Sequence, residues 1–199
     1  MIRSRIIGTG HFLPERILTN KDLETLCDTT DEWIRQRTGI EQRHAARPGD
    51  GTSDLCTPAS RMAIESAGLT PADIDLLICC TTTPDYIFPA TACVIADSLG
   101  MGTKPAFDLN AACSGFIYGL ATADAFVRSG AYKTVLLTGG ELATNRVSYK
   151  KRDTAVLFGD GAGAVVLRGE EGDRGVLTTH LWSDGSGREV LWLPAGGSK

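Results

Sequence analysis

Residues 106–120 read Ala-Phe-Asp-Leu-Asn-Ala-Ala-Cys-Ser-Gly-Phe-Ile-Tyr-Gly-Leu, which commits the chain to a strand, a tight corner and a helix in immediate succession. Residues 105–109 form a short extended segment, and residues 110–114 are small enough for a sharp passage. From Cys113 to Ser129 the chain has helical length before Gly130 stops it. That helix carries Phe116, Ile117, Leu120, Ala123, Ala125, Phe126 and Val127, apolar or small nearly all round, so it is expected to be a buried central helix starting at Cys113. A thiol in the first turn faces unpaired backbone N–H groups and the positive end of the macrodipole, both of which favour thiolate. Cysteine is more often a small buried hydrophobe, but this position marks Cys113 as a candidate nucleophile.

The same alternation of strand and helix precedes this stretch. Residues 5–10 read as a strand, residues 13–15 as a turn, and residues 20–27 as a short helix with Asn20 as its cap. Thr30 or Asp31 caps a second helix that Gly39 ends, and residues 43–52 read as a loop. A helix over 54–67 closes at Gly68, a buried strand runs through residues 74–81, and a helix over 90–99 follows Phe88-Pro89. After Gly130, residues 134–140 form a further strand. Residues 155–158 and 162–167 read as two strands of a hairpin around Gly159-Asp160-Gly161. The fold class is α/β with a mixed, mainly parallel sheet and a late antiparallel pair. Residues 178–199 hold one short strand-like run and then loop.

Several function classes drop out. A net charge of -4 argues against nucleic acid or an anionic membrane as partner. No apolar run approaches the roughly 18 residues that span a bilayer, and the start breaks at Gly8 before a signal-peptide core forms. A cytoplasmic location is expected. The six cysteines, at 27, 56, 79, 80, 93 and 113, contain no C-x-x-C pair, and the three histidines are His11, His44 and His180, so neither zinc site nor disulfide framework is expected. Cys79 and Cys80 lie in a strand, point to opposite faces and read as core filling. Gly8-Thr9-Gly10 lacks a third glycine, and Gly159 to Gly163 lacks the Lys-Ser/Thr of a phosphate loop; neither is a nucleotide signature.

Trp33, Arg35 and Arg37 crowd one short helix. An indole beside guanidinium groups suits stacking on a flat base and pairing with phosphate; on residue type alone, a half-buried tryptophan among solvated arginines is the commoner reading.

Taken in order, these motifs resemble the amino-terminal half of β-ketoacyl-acyl-carrier-protein synthase III, a condensing enzyme of the thiolase superfamily. The residues that carry the likeness are Gly8-Thr9-Gly10 with Leu13-Pro14, Asp31-Glu32-Trp33-Ile34, Arg37-Thr38-Gly39-Ile40, Thr81-Thr82-Thr83-Pro84 and Phe88-Pro89. Ala111-Ala112-Cys113-Ser114-Gly115-Phe116 and Phe158-Gly159-Asp160-Gly161-Ala162-Gly163-Ala164 complete them.

The resemblance implies a thiolase-like fold, with residues 1–170 as the amino-terminal half and 171–199 as the start of a connecting region. It implies that Cys113 takes an acyl group from an acyl-coenzyme A, with acetyl-coenzyme A the expected donor, and condenses it with malonyl-acyl-carrier protein to start fatty-acid synthesis. The Cys113 N–H would serve as an oxyanion donor. No cofactor or metal is implied beyond the coenzyme A thioester used as substrate. The positions matching Trp33 and Arg152 sandwich the adenine of coenzyme A, with Thr29 and Arg37 nearby. Phe88 matches a residue that floors the partner's acyl pocket in a homodimer, favouring a short primer. The family's catalytic histidine and asparagine lie in its carboxy-terminal half, and none of His11, His44 or His180 falls at a matching position. The thiolase fold packs two similar halves, so one half alone is expected to expose faces that meet the other. Two other readings stay open: a half that binds acyl-coenzyme A or partners another chain without condensing, and a starter acyltransferase of polyketide type.

Overall fold

The alternation seen in the sequence resolves into seven strands and six α-helices; the computed structural model describes residues 1–194 and 196–198. The strands are β1 (Ile2–Phe12), β2 (Arg16–Thr19), β3 (Gln42–Ala45), β4 (Leu76–Cys80), β5 (Ala106–Leu109), β6 (Thr134–Leu142) and β7 (Asp160–Glu171). The helices are α1 (Asn20–Glu24), α2 (Asp31–Thr38), α3 (Thr52–Ser66), α4 (Thr91–Leu99), α5 (Gly115–Arg128) and α6 (Arg152–Ala155). Five strands form one sheet in the order β1-β7-β6-β4-β5, and β2 and β3 form a small antiparallel ribbon.

The central strand β4 is buried at every residue, as its unbroken Leu-Leu-Ile-Cys-Cys run requires. It pairs in parallel with β5 and β6, while β7 runs antiparallel to β6 and β1. On one face α3 and α4 pack Cys56, Ala59, Ala63 and Ile95 against Leu77, Cys79, Leu136 and Val166. On the other, α5 sets Ala123 and Val127 over Ile78, Cys80, Val135, Leu137 and Leu167. Gly119 allows α5 this approach: a Cβ there would stand 2.5 Å from the Cys80 sulfur and 2.6 Å from Leu137 Cδ1. Gly8 and Gly10 do the same under α3, where a Cβ would lie 2.3 Å from the Ala63 oxygen and 2.2 Å from the Ala59 oxygen. The Gly8-Thr9-Gly10 motif is therefore a packing feature.

Several expectations are corrected. The sheet has two parallel and two antiparallel pairings rather than being mainly parallel. There is no hairpin at Gly159-Asp160-Gly161. Residues 152–155 are helical, and a single strand, β7, starts at Asp160, whose carboxylate accepts from the Ala46 and Thr144 N–H groups and the Thr144 hydroxyl. Residues 43–45 are not loop but strand β3, paired with β2, and the helix expected over 20–27 ends at Glu24. Its cap is Thr19, whose hydroxyl accepts from the Asp22 N–H while the Asp22 carboxylate accepts from Thr19. Asn20 instead bridges Asp31, the Ile40 carbonyl and Arg43. The run after residue 178 contains no strand among the described residues. Finally, α5 is buried on one face only, with Ile117 50% exposed, because this chain supplies a single sheet for it to pack on.

Candidate active site

The Cys113 corner is built by three neighbours. The Asn110 side-chain oxygen accepts from the Ala112 N–H at 3.2 Å, closing the turn out of β5. Ala112 then takes φ 47°, the one left-handed non-glycine residue among those described, and residues 112–114 form a single 3-10 turn before α5 begins at Gly115. Cys113 therefore lies in that turn, one step ahead of the first α-helical turn expected for it; the left-handed Ala112 breaks helical continuity there. Its side chain is exposed. Its N–H has no acceptor among the described residues, which makes it one of the orphan donors of the helix start.

The second group assembles around Trp33. Thr30 caps α2 by accepting from the Trp33 N–H, Asp31 and Glu32 sit in its first turn, and Gly39 ends it at φ 71°. Arg37, one turn after Trp33, places Cζ 4.4 Å from the indole centroid, and Arg152 from α6 places its own at 4.6 Å. Arg152 also donates to the Asp28 carbonyl at 2.9 Å. Beside Asp28, Thr29 is 8% exposed and its hydroxyl has no partner. Arg35 points elsewhere, into ion pairs with Asp31 and Glu41. The guanidinium of Arg152 thus stacks directly on Trp33, where the resemblance expects a base between them.

Phe88 lies apart, 84% exposed beside exposed Tyr86 and Ile87. The base of its loop is tied down: the Glu141 carboxylate accepts from the Thr82 N–H and from the Thr82 and Thr83 hydroxyls. Among the described residues no hydrogen bond or ring contact joins Phe88 or Cys113 to the Trp33 group.

Cys56, Cys79 and Cys80 are buried, in contrast to Cys113. Burial pushes the Cys80 thiol up to about 12, and the Cys79 thiol is raised further by its hydrogen bond with Cys56 and by burial; neither is a thiolate at neutral pH. His44 is engaged with the Pro14 carbonyl, and His180 stacks on Trp182. Sequence reasoning missed Asn110 and Ala112 as makers of the corner. An asparagine at the end of a strand, two residues before the first small-residue turn, was the available signal.

The family model described as 3-Oxoacyl-[acyl-carrier-protein (ACP)] synthase III matches residues 107–185. A β-ketoacyl-[acyl-carrier-protein] synthase III of Xanthomonas campestris pv. campestris is 56% identical over 195 residues, 98% of this chain and 60% of that protein. Among solved structures, the 3-oxoacyl-(acyl carrier protein) synthase III of Pseudomonas aeruginosa PAO1 superposes with TM-score 0.92 at 39% identity, over 98% of this chain and 62% of that one. A priming β-ketosynthase from the R1128 polyketide biosynthetic pathway superposes with TM-score 0.81 at 40% identity, over 84% and 50% of the two chains. The chain spans about three-fifths of the length of the curated relatives it matches, 60% for the Xanthomonas protein. No helix among the described residues is long and apolar enough to cross a membrane.

Proposed function

We propose that this chain, a homologue of the amino-terminal part of β-ketoacyl-acyl-carrier-protein synthase III with that family's thiolase-like α/β fold, carries the acyl-transfer half of a condensing enzyme. The Cys113 sulfur attacks the thioester carbonyl of an acyl-coenzyme A. The carbon–sulfur bond to coenzyme A breaks, its thiolate leaves, and the proton given up by Cys113 ends on the departing thiol. The Cys113 N–H holds the oxyanion of the tetrahedral intermediate. Malonyl-acyl-carrier protein then loses carbon dioxide, the resulting carbanion attacks the Cys113 thioester, and the Cys113 thiolate is released with the β-ketoacyl product on the carrier. By the resemblance, that second step calls on a histidine and an asparagine outside these 199 residues.

Trp33 and Arg152 take the adenine of coenzyme A between them, Arg37 meets its phosphates, and Thr29 offers its unpartnered hydroxyl to the bound nucleotide. Phe88, standing out on its anchored loop, reaches into the acyl pocket of a second copy, and β5 offers its open edge for a homodimer. Residues 1–170 make up the amino-terminal thiolase-like half and 171–199 the beginning of a connection, in a cytoplasmic enzyme.

The observation that carries this reading is the Cys113 corner: an exposed thiol and a free N–H at the positive end of a 14-residue helix. The test is intact-protein mass spectrometry after incubation with acetyl-coenzyme A, with Cys113→Ala as control. One acetyl group on Cys113 is expected; no adduct, or acetylation scattered over several cysteines, overturns the assignment. A second reading, starter-unit transfer in polyketide synthesis, is favoured by the likeness to the R1128 priming enzyme. A panel of acyl-coenzyme A chain lengths separates the two, since a pocket floored by Phe88 accepts acetyl in preference to longer starters.

A further inference from the structure

The segment that brings Arg152 to Trp33 carries more positive charge than stacking a base requires. Residues 146–153 contain Arg146, Lys150, Lys151 and Arg152 against the single acid Asp153, in a chain whose overall balance is -4. None of these four, nor Arg37, forms an ion pair among the described residues. The acids closest in the chain to Trp33 and Arg152 are Asp31, Glu32 and Asp153; Asp31 is taken up by Arg35 and Asn20, and Glu32 by Gln36. Position is set by the core beneath. Tyr149 packs with Trp33 on the Leu23, Ile34 and Val156 cluster, and Arg152 stacks on the indole. Lys150 and Lys151 emerge between those two anchors, both exposed. The Lys151 carbonyl is fixed as acceptor for the Ala155 N–H, so the backbone under the pair is held by α6.

A base stacked on Trp33 puts its ribose at the rim of the ring, beside these lysines. Coenzyme A carries two anionic groups on that ribose, the 5′-pyrophosphate that leads to the thioester arm and a 3′-phosphate on the other side of the sugar. Arg37 and Arg152, held against the indole, suit base and pyrophosphate. Two flexible point charges on the outer edge suit a solvent-facing phosphate monoester. Resting on the reading of coenzyme A as donor, we propose that Lys150 and Lys151 recognise its ribose 3′-phosphate, and so set the specificity of this site for coenzyme A over nucleotides that lack that group.

The experiment is titration calorimetry of the full chain with coenzyme A and with 3′-dephospho-coenzyme A, at low and at high salt. The unaltered chain is expected to bind coenzyme A roughly two- to tenfold more tightly, the range of two exposed charge contacts, with the gap narrowing as salt rises. Lys150→Gln with Lys151→Gln removes the gap and leaves the dephospho ligand's affinity unchanged; Lys150→Arg with Lys151→Arg keeps it. Equal affinities in the unaltered chain, a gap that survives the glutamine pair, or an equal loss for both ligands in that pair overturns the proposal while leaving the donor site standing. Failure of both ligands to bind the unaltered chain overturns the coenzyme A reading itself.

Discussion

Ala112 concentrates the strain of the corner in one residue. A left-handed φ of 47° costs an L-residue roughly 1–2 kcal/mol, and here it turns the chain from β5 into α5 with the neighbouring thiol facing outward. Glycine removes that cost but adds chain entropy, so Ala112→Gly is expected to leave the urea midpoint nearly unchanged. Ala112→Val, with a branched Cβ in the same conformation, should lower stability by about 2 kcal/mol or more. Equal midpoints for the two variants would show that the corner is not held left-handed. Reactivity at residue level follows from exposure. Iodoacetamide at pH 8 is expected to label Cys113 and Cys93 and to spare Cys56, Cys79 and Cys80, as peptide mapping would read, because the latter three are buried and two of them have raised pKa values.

At the scale of elements, the fit of α5 on the sheet depends on Gly119. Gly119→Ala forces a methyl into the Cys80 sulfur and Leu137, and should cost about 1–3 kcal/mol in chemical denaturation. Helix α2, which carries Trp33 and Arg37, is tied to its surroundings through Asp31. Hydrogen bonds from Arg35 and then Asn20 hold the Asp31 carboxyl below its ordinary range. A lowered folded pKa means the contribution is complete above the unfolded value near 3.9 and is lost as pH falls through the lower folded one. Asp31→Asn should therefore lower the urea midpoint at pH 7, with the difference closing as pH falls below about 4. The elements legible in the sequence were those whose burial is written locally: β4 in its apolar run, α3 and α4 in their periodicity, α2 between Thr30 and Gly39. Strands β2 and β3 were not, because Arg16 to Thr19 and Gln42 to Ala45 acquire strand character only by pairing with each other. The false hairpin arose because Gly159-Asp160-Gly161 has turn composition, whereas the Asp160 carboxylate spends its hydrogen bonds on distant N–H groups. The pairing of Trp33 with Arg37 is visible as an i, i+4 spacing, but Arg152 arrives from 119 residues further along (152 − 33) and only the family resemblance pointed to it.

Across the whole molecule, the two faces of the sheet are covered unequally. Ile6 stands opposite Leu167 in the β1–β7 ladder, so both side chains point to the α5 face. Leu167 is fully buried under α5, yet Ile6 is 44% exposed, and Ile117 on the helix is 50% exposed. Ile2, two steps further along the same face beyond Ser4, is exposed as well, and the segment after β7 adds exposed Trp182, Leu191 and Trp192. This much apolar surface is the kind that a monomer seldom leaves in water, and the resemblance expects such a face to meet a second, similar half. At micromolar concentration the 199-residue chain is accordingly expected to bind a hydrophobic dye and to gain mass with concentration in sedimentation. Ile6→Thr together with Ile117→Gln should weaken both signals while moving stability by no more than about 0.5 kcal/mol per site, since neither side chain is buried. Leu137→Ala, in the covered part of the same face, should behave oppositely, costing about 2–5 kcal/mol of stability without removing the association. If the double variant associated as strongly as the unaltered chain, the uncovered α5 face would not be the sticky surface. The exposed loop of Tyr86, Ile87 and Phe88 would then be the next region to alter, and loss of association there would tie self-association to the proposed dimer contact.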